Sequence, residues 1–581
     1  METIRHNVQF CVIGGGIAGM CAALAAARHG VKTLIMQERP MFGGNASSEV
    51  RMWICGARYD LETGIVEELR LENLYRNTYP NYSVWDGILF EKMRFQENLE
   101  CLLNCSCQDA TMDGSRIVSV KGWQMTTQQF HVVEADYFAD CSGDSVLVPL
   151  TGAEARWGRE AKAEFGESLA QDVPDGKTMG MSCLIQARET DSPKKFIPPA
   201  WATKFPDDAS FPDRDHTLLH LQNFWWLELG GNGNSIADTE TVRDQLLKDA
   251  YGLWDHIKNH GDHGAENWML DWVGILPGKR ESRRCIGDYL LNQNDVLNAT
   301  KFDDIVAFGG WPVDDHHPDG FRHFGPPNTN ILPSQSYGIP LRCLYSKNID
   351  NLFFAGRNIS ATHTGISSTR VMATCALVGQ AVGTAVYHAV AAGGLSPRET
   401  AKTRIRAIQQ TLLDDDCWLL GMKRDVPELS LRASLTVTSG DGETLRNGYD
   451  RPYNGKGFMD ALKDETFNAW LCHDGDSAEY DFGAATPVRL ARIVFDSDLG
   501  RGGRNMKNHN YYLKQDVYEP PATLVKAYHI EADGKEVFRD DDNHQRLVFI
   551  PLNVTARTVK LVIDAVRTPD APTKVFSFDV R

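Results

Sequence analysis

The sequence has no run of eighteen apolar residues, no cationic stretch leading into an apolar one at its start, and no cysteines spaced as CxxC. The first two absences leave neither a membrane span nor a cleavable leader expected, and the chain reads as cytoplasmic. The third, together with the lack of any His/Cys cluster at zinc spacing, means that no metal is expected. Thirteen cysteines, an odd number scattered over the whole length, read as reduced thiols and not as a disulfide framework. Cys105 and Cys107 read as pointing to opposite faces of a strand. Positive charge is also short. Sixty Lys and Arg stand against 77 Asp and Glu, a net charge of −17, so neither nucleic acid nor an anionic membrane is an expected partner. With 581 residues there is room for two to four domains, each with its own core.

What is present is concentrated near the start. Val8 to Ile13 is short, β-branched and apolar, as a buried parallel strand should be, and it runs into Gly14-Gly15-Gly16-Ile17-Ala18-Gly19. In this GxGxxG pattern Gly14 permits a tight turn and Gly16 lets the backbone approach a pyrophosphate. Gly19 lets the following Ala-rich helix pack on the strand with its N-terminus toward the anion. The next strand, from Lys32 to Gln37, ends at Glu38, about 20 residues past the glycines, where a carboxylate accepts hydrogen bonds from a ribose 2′-hydroxyl. A phosphate on that hydroxyl would be repelled, which disfavours NADP. NAD and FAD both fit this stretch.

Residues 39–57 continue with Gly43-Gly44-Asn45 and Ser47-Ser48, a loop able to approach a ligand. Three β segments come next, starting at Leu99, Ser115 and Gln129, and the last ends in Ala139-Asp140-Cys141-Ser142-Gly143-Asp144. Residues 348–389 give an apolar strand, Gly356-Arg357, a polar loop and a helix of small residues, in which Gly379 and Gly383 permit close packing.

In these pieces, with "ETGIVEEL" at 62–69 and "FFAGRNIS…STRVMATCALVGQAVG", the chain resembles FAD-dependent oxidoreductases of the glutathione-reductase-like fold. Within that fold it resembles more closely the branch that includes the heterodisulfide reductase flavoprotein subunit and many uncharacterised bacterial proteins. The resemblance implies an α/β Rossmann-type FAD domain with an inserted α+β substrate domain, and non-covalent FAD. It places the pyrophosphate on Gly14, Gly16, Ile17, Ala18 and Gly19, and the adenosine ribose on Glu38 with Arg39. Gly43, Gly44, Asn45, Ser48, Cys107, Gly143, Asp144, Gly356 and Arg357 complete the implied site. A helix starting near Ser368-Thr369, with Val371, is implied at the flavin pyrimidine edge. A helix N-terminus there favours the negative charge of a reduced flavin. Cys141-Ser142 departs mildly from the family's D-x-T-G-D pattern. No C-x4-C pair follows the glycine helix, and iron–sulfur cysteines are missing, which disfavours dithiol and heterodisulfide reduction.

Between Gly152 and Tyr345 the glycine signatures give way to Trp, His and Arg. "NFWWLELGG" at 223–231, Lys279 with Arg280, Arg283 and Arg284, and Asp314, Asp315, His316, His317 and His323 form three clusters. Read functionally, they bind a polar, oxygen-rich substrate; read structurally, they are an ion-pair network. His363, in the loop after Gly356-Arg357, is the expected general base, with Arg280, Arg284 and His316 as further catalytic candidates. The expected division is 1–155 and 346–395 for FAD, 156–345 for substrate, 396–428 as a helical linker and 429–581 as a β-sandwich. The last segment looks like a discoidin-type, galactose-binding-like jelly roll, in which Val559, Leu561 and Ile563 share one face and Phe576, Phe578 and Val580 another. The expected activity is hydride transfer from a polar small molecule, with a sugar or glycoside CH–OH as the expected group, to flavin N5. The alternatives are C–C bond reduction or desaturation of a carboxylated substrate, and an electron-transfer flavoprotein that docks a protein partner. The sequence names no electron acceptor and leaves an oligomer open.

Overall fold

The computed structural model describes residues 2–218, 223–452, 468–501, 510–514, 517–569 and 573–581. The chain divides into two compact units, one of residues 1–58, 79–408 and 505–516, the other of residues 59–78, 409–504 and 517–581. The segment 59–78, expected in the FAD domain, therefore belongs to the second unit. The helix expected as a linker, α4 (Pro397–Asp414), begins in the first unit and ends in the second.

In the first unit β1 (Thr3–Ile13) leads into α1 (Ile17–Arg28), followed by β2 (Thr33–Met36) and β3 (Leu99–Leu102). An antiparallel meander of β4 (Cys105–Asp113), β5 (Arg116–Gln124) and β6 (Gln129–Asp140) returns to the sheet, and β7 (Leu352–Phe354) joins much later. The strand order is β3-β2-β1-β6-β5-β4, with β7 on β6. The stretch expected as one strand from Leu99 is thus two, parallel β3 and the meander's β4. Cys105 and Cys107 share one face of β4, both buried in its core, because a two-residue step returns to the same side of a strand.

The register positions the site. Ile13 pairs with Met36 and with Asp140, and Asp140 with Phe354, so the carboxyl ends of four parallel strands lie level. Beyond those ends lie the glycine turn after β1, Glu38 after β2, the Cys141–Asp144 turn after β6 and Gly356-Arg357 after β7. Ligands of open α/β sheets bind at that edge. Beneath it α1 packs on α3 (Met372–Ala391), where a Cβ on Gly379 would overlap the Ala18 carbonyl. α3 is apolar and long enough to match a membrane span, but 83% of that stretch is buried in this core. None of the thirteen cysteines forms a disulfide.

Residues 156–345 add short antiparallel pairs, Ile185–Glu189 with Trp268–Val273 and Val313–His316 with Asn328–Ile331 among them, and the 21-residue helix Thr239–Asn259.

The second unit is an antiparallel sheet of β8 (Ser434–Val437), β9 (Trp470–Cys472), β10 (Ser477–Phe495), β11 (Val525–Ala532), β12 (Lys535–Asp540), β13 (Leu547–Val566) and β14 (Thr573–Val580), in the order β9-β14-β10-β13-β11-β12 with β8 on β10. Val559, Leu561 and Ile563 are buried on one face of β13, as their alternation implies. β14 is buried along its whole length, on both faces. Its partners on the second face include the guanidinium groups of Arg424 and Arg492, which meet Ser577 and Asp579 inside the unit.

Candidate active site

The glycine turn is built as its sequence implies. Gly14 has φ +103°, and a Cβ there would stand 2.5 Å from the Cys141 carbonyl oxygen, so only glycine fits. Gly19 in the first turn of α1 lies so close to the Gly14 carbonyl that a Cβ would overlap it. Gly16 is the N-cap of α1 and no side chain caps that end, which leaves the N–H groups of Ile17 and Ala18 facing out of the turn. Gly43 and Gly44 meet Gly16 from the other side through a Gly16–Gly43 bridge. Glu38 is exposed just past β2, while Arg39 pairs with Glu49 at 3.0 Å.

A second group closes around Asp144. Its carboxylate takes Lys279 Nζ at 2.7 Å, Ser282 Oγ at 2.7 Å and Arg357 Nη2 at 2.5 Å. Burial alone would raise its pKa, but Arg357 and Lys279 hold it well below the ordinary carboxylate value. Arg357 also covers Gly143, and Asn45 Nδ2 donates to the Lys279 carbonyl at 3.3 Å. Lys279 and Ser282 come from the inserted region, more than a hundred residues away, and no local pattern marks them as partners of Asp144. The Ser48 N–H donates to Asp86 at 3.1 Å.

Two expectations about this cradle need correction. The Cys107 thiol is packed in the sheet core, where burial pushes its pKa up to about 12, so it does not line the site. Beside Glu38 lie Asn104, just before that strand, and Cys105, its first residue, whose N–H groups donate to the Arg39 and Gln37 carbonyls. The helix at the expected flavin edge starts at Met372 with Val371 as N-cap, and not at Ser368-Thr369. Those two close the preceding short helix, α2 (His363–Thr369). No side chain caps α3, and the hydroxyls of Thr369 and Thr374 beside its start are buried without a hydrogen-bond partner. A helix end with no side-chain cap, its Ala373 N–H taken by the Cys55 carbonyl, and with orphaned hydroxyls beside it suits a polar ring edge. With the open end of α1 and the Gly14 turn, this fits FAD.

The four catalytic candidates lie in a buried ionic network. His363 Nδ1 is 2.8 Å from Glu281 Oε2 and its Nε2 is 2.9 Å from Asp315 Oδ1. Burial by itself lowers the imidazole pKa, but these two carboxylates raise it to about 10. The ring is an imidazolium near neutral pH with both nitrogens engaged, so His363 is not a free base. Arg284 is fully buried, with Nη1 2.9 Å from Glu160, and also donates to the Gly158 and Ala361 carbonyls. Arg280 meets Glu228 at 3.2 Å, Ser182 Oγ and the Trp225 carbonyl. His316 lies between Glu228 at 2.7 Å and Asp314 at 3.4 Å. Burial would raise the Glu228 pKa, but Arg280 and His316 hold it at about 2. All four are therefore network members and not groups turned toward a ligand.

The strand Val313–His316 runs beside α2. Ser368 Oγ donates to the Trp311 carbonyl at 2.5 Å, Arg370 reaches Asp314 at 3.1 Å, and Asp315 reaches His363. Asp315 remains partly exposed, at 17% of its side chain, whereas Glu281 on the other side of the imidazole is fully buried. Trp311 is half-buried with the Arg58 guanidinium 4.8 Å above its ring.

Level strand ends, a glycine turn under an uncapped helix and an acid past the second strand define a dinucleotide-binding protein. The family described as FAD dependent oxidoreductase matches residues 9–412, and the chain belongs to it; FAD is its cofactor. No curated protein matches the sequence. Among solved structures the chain is similar to a geranylgeranyl bacteriochlorophyll reductase-like protein from Thermoplasma acidophilum, at 13% identity over 71% of this chain and 86% of that one, with a TM-score of 0.32. It is similar also to p-nitrophenol 4-monooxygenase PnpA from Pseudomonas putida DLL-E4, at 10% identity over 70% of this chain and 86% of that one, with a TM-score of 0.30. Chitosan-binding module 1 of a chitosanase/glucanase from Paenibacillus sp. IK-5 matches 26% of this chain and 97% of its own length at 15% identity, with a TM-score of 0.17.

Proposed function

We propose that this oxidoreductase removes a hydride from the CH–OH group of an uncharged polar substrate, a sugar or glycoside. The observation that carries the reading is the commitment of the arginines. Arg280 and Arg284 are matched inside the protein by Glu228 and Glu160, so the guanidinium pair that a carboxylated substrate would need is already used. This argues against the C–C reduction alternative. What the network does offer at its partly exposed end is a carboxylate, Asp315.

Non-covalent FAD is held by Gly14, Gly16, Ile17, Ala18, Gly19, Glu38, Gly43, Gly44 and Asn45, with Gly143, Asp144, Gly356 and Arg357 along the ribityl diphosphate and Val371 at the ring edge. When bound, it supplies the hydride acceptor. Asp315 accepts the substrate hydroxyl's hydrogen bond at Oδ2, since Oδ1 faces His363, and takes the hydroxyl proton as the carbon-bound hydride leaves. His363, a cation anchored from behind by Glu281, keeps Asp315 ionised and fixes its direction. His363 is thus a positioning residue in this reading. The second unit is proposed as a galactose-binding-like jelly roll, on the strength of its order of strand motifs, and the protein as cytoplasmic.

The test is anaerobic mixing of the oxidised protein with sugars, glycosides and organic acids while the flavin absorbance is followed. Bleaching by a polyol, slowed about 10²–10⁴-fold in Asp315→Asn, is the expected result. Bleaching by carboxylates alone, or turnover only with a protein electron donor or acceptor, would sink the proposal.

A further inference from the structure

Away from the flavin cradle, four residues from two stretches of the sequence converge in the inserted region. They are Asp208, His216, His256 and His263, whose facing nitrogen and oxygen atoms all lie within 4.8 Å of one another. Asp208 opens a short 3-10 turn and His256 stands near the end of the helix Thr239–Asn259, fully buried. Asp208 Oδ1 is 3.0 Å from His256 Nε2, 3.4 Å from His216 Nε2 and 3.4 Å from His263 Nε2. The Nε2 atoms of His256 and His263 are 3.1 Å apart.

Two independent features say what this convergence suits. His256 Nδ1 lies 3.1 Å from the Phe205 carbonyl oxygen, and His216 Nδ1 lies 2.8 Å from the Arg214 carbonyl oxygen. A carbonyl oxygen only accepts, so each Nδ1 carries the hydrogen and each neutral ring aims the Nε2 lone pair at the common centre. For the Nε2 contacts with Asp208 to be hydrogen bonds, both rings would have to take a second proton, which puts two imidazolium ions 5.2 Å apart between centroids. One divalent cation satisfies the same lone pairs with no added proton. An outward N–H on a backbone carbonyl is how ligating histidines are held.

The second feature is spacing. Donors about 2.0–2.1 Å from a tetrahedral zinc stand roughly 3.3 Å from one another. The three Asp208–His separations and the His256–His263 separation, 3.0–3.4 Å, bracket that value.

We propose that Asp208, His216, His256 and His263 form a four-ligand site for a zinc-type divalent cation. Three imidazoles and one carboxylate favour zinc over the all-oxygen cages of calcium or magnesium. With four protein donors the site is closed, so its role is structural: it ties the segment 205–216 and the turn at His263 to the helix carrying His256. The sequence steps between the ligands are 8, 40 and 7 residues, which match no zinc motif.

The test uses the full-length flavoprotein, loaded with zinc, dialysed against metal-free buffer and assayed for metal by mass spectrometry. One zinc per chain is expected, and cobalt in its place should give the intense visible bands of a four-coordinate ion at wavelengths beyond the flavin absorption. Asp208→Ala, at an exposed side chain, and His216→Gln should each weaken zinc binding by more than the roughly 10–100-fold that loss of an outer partner costs, with the flavin spectrum unchanged. His317→Gln, in the separate group of His317, Asp319 and His323, should keep the zinc. Substoichiometric zinc in the wild type, zinc retained in both ligand variants, or zinc lost only in His317→Gln would overturn the assignment.

Discussion

Replacing His363 by Gln tests the charge assignment at the centre of the ionic network. The imidazolium lies between Glu281 and Asp315 at 2.8 and 2.9 Å. Glu281 also takes Arg284 Nε at 3.3 Å and the Met179 N–H at 3.0 Å, so the variant keeps part of that carboxylate's compensation. The ordinary histidine pKa is 6.5 and the folded value is about 10. A group raised in this way stabilises the fold fully below pH 6.5, and the stabilisation drains away as pH climbs to 10. Three and a half pKa units correspond to about 5 kcal/mol, of which about 4 kcal/mol is present at pH 7. That agrees with the 3–5 kcal/mol usually lost when one partner of a buried pair is removed.

The assay is urea unfolding of the FAD-loaded protein at several pH values between 6.5 and 10, with flavin absorbance as the control for occupancy. Wild type should lose stability steadily across this window. His363→Gln should start a few kcal/mol lower and lack that part of the slope. Equal slopes for the two proteins would mean that His363 is neutral in the fold. The positioning role would then be wrong, and the base role would return.

Two further perturbations probe the cradle and the division of the chain. Glu38→Arg removes the acceptor for the ribose hydroxyls and should weaken FAD by about 10–100-fold, the 1.5–3 kcal/mol of hydrogen bonds to a charged group; wild-type occupancy after gel filtration would show that the acid is misassigned. Cutting the chain after residue 429 should give an aggregating or strongly destabilised product, because the helix Ile65–Arg76 loses its unit. Glu67 on that helix is buried against Arg501 at 2.8 Å and Ser497, with Arg70 of its own helix farther off at 4.0 Å, and the Leu61 carbonyl accepts from Arg451, so losing Arg501 from this buried pair costs up to about 3–5 kcal/mol. A soluble, yellow 1–429 fragment would refute the division into units.

The glycine turn and the ribose acid of the cofactor cradle were legible in the sequence because the contacts that shape them are local, whereas Lys279 and Ser282, which close on Asp144 from more than a hundred residues away, were not. Gly14 and Gly19 must both be small for one turn to close, and Glu38 comes at the end of the very next strand, so the pattern announces itself within thirty residues. The ion network had no such signature. Arg284 finds Glu160 124 residues away, and His363 finds Asp315 and Glu281 at distances of 48 and 82. A run of arginines and histidines looks the same on the page whether its partners are substrate carboxylates or the protein's own. Charge parity between distant segments is the only hint, and 77 acids in a chain of this length make it weak.

The Asp208 cluster was illegible for the same reason, since a structural site spread over three segments has no motif to show. The wrong strand face given to Cys107 is different in kind, because the two-residue period was in the sequence to be read. The lesson for the chemistry is about direction: a histidine near a flavin becomes a base only if one nitrogen is left open. At residue 363 the fold has closed both, and in the proposed reading the open acceptor lies one step outward along the same chain of contacts, at Asp315.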